Sequence, residues 1–85
     1  MSVMVFYRSA SEHGRDVMDF IRDFERQTAK TLEQIDPDGP RGADMCRLYD
    51  VVEYPTLVAT SRDGQLLNKW RGLPLPTINE VDSYA

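Results

Sequence analysis

Ser11, Glu12 and His13 stand together, followed by Gly14, just ahead of the first long amphipathic segment. A serine beside a histidine suggests a hydroxyl nucleophile and its base. The spacing argues against that use, because side chains at i and i+2 of a helix do not face each other. Ser11 is instead expected to be the N-cap of the helix that follows. Glu12 and His13 offer two weak metal donors, too few for a site, so no metal is expected. Cys46 is the only cysteine. It excludes an intramolecular disulfide, a cysteine-based zinc cluster and a dithiol redox centre within the chain. It falls inside a short helical segment, where a buried, inert thiol is the expectation. Trp70 falls in a strand segment and is expected to serve packing rather than to anchor an interface.

The elements that position these residues follow from periodicity. Val3 to Arg8 is short, apolar and rich in β-branched and aromatic residues, which suits a strand buried on both faces. Val17, Phe20, Ile21, Phe24 and Thr28 make one stripe of a helix predicted from Glu12 to Ala29. Charged residues fill its other face, with Arg15 and Asp19 spaced to pair. Thr31 to Asp36 reads as a weaker strand, ended by the turn residues Asp36 to Pro40. Gly42 to Tyr49 reads as a short helix facing inward through Met45, Leu48 and Tyr49. Thr56 to Thr60 is a strong strand. Asp63-Gly64 marks a hairpin, and Leu66 to Arg71 is the return strand. A last helix is predicted from Pro76 to Tyr84, with proline early in it. The order is β-α-β-α-β-β-α. A right-handed parallel crossover starts it and an antiparallel hairpin follows, giving an α/β protein with a four-stranded mixed sheet and helices on both faces.

The chain has 85 residues, enough for one small core, so residues 1–85 are expected to form a single domain. Ten basic residues stand against fourteen acidic, for a net charge of -4. No run of Lys or Arg occurs, which argues against binding a nucleic-acid backbone. No apolar run approaches the roughly 20 residues of a membrane span, and no signal-type start is seen. A cytoplasmic protein that avoids membranes is expected.

The segment Tyr49-Asp50-Val51-Val52-Glu53-Tyr54-Pro55-Thr56-Leu57-Val58, read with this element order, resembles the thioredoxin-like superfamily. The resemblance covers nearly the whole chain, at a size close to glutaredoxins. It implies a cis-proline at Pro55. It also places Ser11 and Gly14 where dithiol members carry their two cysteines, and Val5 where thioredoxins keep a buried aspartate. A serine oxygen forms no disulfide, so thiol exchange is not expected. The resemblance implies a groove formed by Ser11, Glu12, His13, Gly14, Tyr54, Pro55, Arg71, Gly72 and Leu73. A monomer that binds a protein or peptide there, with no catalytic residue and no cofactor, is the leading expectation. A glutathione- or thiol-cofactor-linked enzyme using the same groove, with Arg8, Arg15 and Arg71 as nearby cations, is the alternative. Pairing of a partner along an exposed edge strand is a third reading.

Overall fold

A computed structural model describes all residues from Met1 to Ala85. The strands are β1 (Ser2–Phe6), β2 (Glu33–Ile35), β3 (Thr56–Thr60) and β4 (Leu66–Arg71), and the helices are α1 (Gly14–Thr28), α2 (Pro40–Leu48) and α3 (Ile78–Asp82). The sheet order is β2-β1-β3-β4, with β1 parallel to β2 and antiparallel to β3. β3 and β4 form the antiparallel hairpin. The fold class is therefore the expected α/β architecture with a mixed four-stranded sheet.

β1 holds the centre. Val3, Met4, Val5 and Phe6 are all buried, which explains why the strand is apolar at every position rather than alternating. Val3, Val5 and Tyr7 face one side and pack with Val17, Ile21 and Phe24 of α1 and Val81 of α3. Met4 and Phe6 face the other side with Val51 and Val58, against Met45, Cys46 and Tyr49 of the α2 region. Trp70 packs on the α1/α3 side, edge-on to Tyr84 with ring centres 5.5 Å apart.

Several boundaries differ from the sequence reading, each for a local reason. β1 stops at Phe6 rather than Arg8, because the Arg8 carbonyl serves the turn into α1, accepting the Ser11 N–H. α1 begins at Gly14 rather than Glu12. Its N-cap is His13 and not Ser11, and no side chain caps it. Ser11 Oγ instead donates to the Arg8 carbonyl at 2.5 Å. The Arg15–Asp19 pair does not form, and Asp19 pairs with Arg22. β2 shortens to three residues. α2 starts two residues early, with Pro40 in its first turn, where a missing N–H costs nothing. Leu48 points outward at 68% exposure, and Cys46 takes the inward place. α3 is shorter than predicted because Thr77 and Glu80 form a reciprocal capping box that sets its start.

One tight contact and one cation hold the α2 side. A side chain on Gly42 would overlap the Asp36 carbonyl, so α2 and the β2–α2 turn can approach only over a glycine. Lys69 Nζ donates to the carbonyls of Tyr49 and Asp50, at 3.1 Å each, where α2 runs out. This ties β4 to the end of α2.

Lys69→Met keeps the stem and removes both hydrogen bonds. Urea unfolding is expected to show a loss of about 1–2 kcal/mol. Ala29 holds a left-handed backbone at φ 58°, so Ala29→Gly is expected to raise stability by about 0.5–1 kcal/mol in the same assay.

Candidate functional site

The candidate site lies beyond the ends of β1 and β3, where Arg8 joins three segments. Its backbone N–H donates to His13 Nε2 at 3.3 Å, and its carbonyl takes the Ser11 hydroxyl. Its guanidinium lies 4.5 Å from the centre of the Tyr54 ring. The same guanidinium makes a two-pronged contact with Asp38, at 2.8 and 3.1 Å. One residue thus links the loop before α1, the turn before α2 and the segment before β3. The sequence reading had Arg8 only as a possible cation near the groove. Nothing in its spacing points to Asp38, thirty residues away.

The Tyr54–Pro55 peptide bond is cis, and so is Leu73–Pro74. Gly72 donates its N–H to the Pro55 carbonyl at 2.8 Å, which sets Gly72 and Leu73 beside Pro55. Gly72 has φ 69°, a backbone that favours glycine, and the Glu53 carboxylate lies over it. Arg71 stands opposite Thr56 in the β3–β4 register and is exposed. Ser11 to Gly14 reach this frame through Arg8, whose side chain covers Tyr54.

Gly14 is buried, and the loop is folded onto it. A Cβ there would overlap the Ser9 carbonyl oxygen and lie 2.8 Å from its carbon and 3.1 Å from the Arg8 oxygen. All three are main-chain atoms, which cannot swing aside as a side chain does.

Cys46 is half-buried on α2, with its sulfur 3.6 Å from the Tyr54 hydroxyl. The expectation of a buried thiol is corrected in part: Cys46 packs against the core beneath α2 but stays half-exposed. The Tyr54 phenol is held above the usual tyrosine range, first by this hydrogen bond with the thiol and then by burial. Arg8 holds the Asp38 carboxyl below its ordinary value by hydrogen bonding.

A crevice of about 510 Å³ opens on the β2 side of Arg8. Of the residues expected to form the groove, it includes only Ser11. Tyr54, Pro55 and Arg71 to Leu73 lie on the other side of Arg8, along the β3–β4 end. No group of three or more His, Cys, Asp or Glu side chains is placed to hold a metal ion. No helix is long and apolar enough to cross a membrane.

This architecture, with the cis-proline ahead of β3 and a helix entered from the end of the central strand, defines a thioredoxin-like fold. Solved thioredoxin structures superpose on it. Thioredoxin 1 of Thermosipho africanus matches with a TM-score of 0.68 at 14% identity, covering 99% of this chain and 89% of that one. Thioredoxin O2 of Arabidopsis thaliana, in its oxidised state, matches at 0.70 and 18% identity, covering 96% and 69%. Mitochondrial thioredoxin 3 of Saccharomyces cerevisiae, also oxidised, matches at 0.69 and 20%, covering 95% and 72%. At these identities the likeness is one of fold. No protein-family model and no curated protein matches the sequence.

Carbon-detected NMR titration is expected to place the Asp38 carboxyl below its ordinary 3.8 and to return it there in Arg8→Met. The pKa is lower in the folded state. The pair's contribution to stability is therefore complete above pH 3.8 and lost as pH falls through the folded value. A wild-type titration at the ordinary value would show that the ion pair does not persist in solution.

Proposed function

We propose that this protein is a non-redox thioredoxin-like domain that binds a protein or peptide in the groove along Tyr54–Pro55. The groove comprises Ser11, Glu12, His13, Gly14, Tyr54, Pro55, Arg71, Gly72 and Leu73. The domain acts as a cytoplasmic monomer with no cofactor of its own. The observation that carries this reading is the state of the helix start. Ser11 and Gly14 occupy the two positions where dithiol relatives need sulfur, and the main chain of Ser9 fills the space next to Gly14. The single thiol sits elsewhere, on α2. The frame on the other side of the groove is kept: the cis bond, the Gly72 N–H on the Pro55 carbonyl, and an aromatic residue before the proline. A scaffold that keeps its binding frame while lacking its thiols is suited to recognition rather than exchange.

Two observations weigh against the other readings. A glutathione-type ligand calls for free cations around the groove, and of the three candidates Arg8 is already engaged by Asp38, leaving Arg15 and Arg71. A partner strand calls for an open edge, and the β4 edge is blunted. Leu67 is an extra residue opposite the Ala59–Thr60 step, and Asn68 Oδ1 accepts the Lys69 N–H at 2.8 Å. Gly72 bonds toward β3, so by strand alternation the Lys69 N–H is one that faces the free edge.

The purified protein is expected to leave insulin disulfides intact. Glutathione, to about 10 mM, is expected to leave the amide signals of Ser11, Tyr54 and Gly72 in place, a range that covers even weak binding. Peptides selected from a random library on the immobilised protein are expected to shift Tyr54 and Gly72 and to lose affinity for Tyr54→Ala. Insulin reduction, glutathione-dependent shifts, or selected peptides that perturb only β4 would each refute the proposal.

A further inference from the structure

The crevice on the β2 side of Arg8 is a second concavity, and its chemistry differs from that of the groove. It opens beyond the carboxyl ends of the parallel strands β1 and β2, the place where open α/β sheets form binding crevices. Exposed Ala10 and the rims of the buried Tyr7 and Ile35 give it a small apolar wall, while Asp36, Asp38 and Arg8 supply its charge. Arg8 and Asp38 neutralise each other. That leaves the Asp36 carboxylate with no direct ion-pair partner, Arg8 acting on it only at longer range.

The Asp36 carboxylate is held in place. Its Oδ1 accepts the Asp38 N–H at 3.0 Å, and its main-chain carbonyl accepts the Gly39 N–H at 3.2 Å. Gly42 packs against that same carbonyl. The other carboxylate oxygen has no protein donor. The crevice thus offers a short apolar wall beside one fixed negative charge, in a chain whose net charge is -4.

We infer that this crevice receives a lysine or arginine side chain of a protein partner, its aliphatic stem along Ala10 and Ile35 and its cation at Asp36. A long cationic side chain matches this lining: an apolar stem carrying a charged head. An acidic side chain would meet an unpaired carboxylate, and a purely aliphatic one would leave it uncompensated. The inference does not depend on the groove, because the two surfaces share only the Ser11 end of the loop.

The test is an amide-shift titration of the full chain with four blocked tripeptides, Gly-X-Gly, in which X is lysine, arginine, norleucine or glutamate. The lysine and arginine peptides are expected to move Ser9, Ala10 and Asp36 with millimolar saturation. Norleucine and glutamate are expected to leave them in place. Asp36→Asn retains Oδ1 as the acceptor for Asp38 and is expected to weaken the basic peptides by about fivefold, the scale of one partly screened ion pair. Raising salt should weaken wild-type binding in the same direction, a check that needs no variant. Absence of shifts to about 10 mM, equal shifts from norleucine, or affinity unchanged in Asp36→Asn or in high salt would overturn the inference. Shifts confined to Tyr54 and Gly72 would also overturn it while leaving the groove reading intact.

Discussion

The molecule depends on the burial of β1 from both faces and on how the chain leaves it. With Val3 to Phe6 enclosed, the strand cannot slide or tilt, so its end is a fixed point. From that point the loop Tyr7 to His13 leads into α1, and it closes on Gly14 with main-chain atoms of Arg8 and Ser9 against it. A helix start packed this closely leaves room for hydrogen but not for a side chain. The closure also governs chemistry, because it bars any side chain, sulfur-bearing or not, from residue 14.

Arg8 is the first residue past that fixed strand whose side chain is free to reach outward, and the outer site is arranged around it. Its main chain serves His13 and Ser11, while its guanidinium is shared between the face of Tyr54 and the carboxylate of Asp38. The guanidinium also divides the surface. On one side lies the cis-proline frame with Gly72 and Arg71; on the other lies a crevice whose residual charge is that of Asp36. The ion pair is exposed, so its contribution to stability is small and its main role is to orient the side chain.

Much of this was legible in the sequence. The unbroken apolar run of Val3 to Phe6 marked a doubly covered strand, the stripe from Val17 to Phe24 marked α1, and Asp63-Gly64 marked the hairpin joining two strands whose limits were read as they stand. Tyr54-Pro55-Thr56, read with the element order, pointed to the fold. What stayed hidden rests on long-range contacts. Ser11 has the composition of a cap, but the Arg8 carbonyl lies nearer to its hydroxyl than the helix N–H groups do. The cause of a glycine at position 14 is Ser9, five residues back. The pairing of Arg8 with Asp38 and of Lys69 with the end of α2 joins residues about twenty to thirty apart. No local period encodes such pairs.

The most direct measurement is made on a chain given back its sulfur, Ser11→Cys with Gly14→Cys, compared with Ser11→Cys alone for unfolding midpoint and insulin reduction. If the main chain fills the space beside residue 14, the double variant unfolds at lower denaturant than the single one and reduces no insulin. A double variant that matches the single one in stability and turns over insulin would contradict the account, because the helix start would then have room for a dithiol.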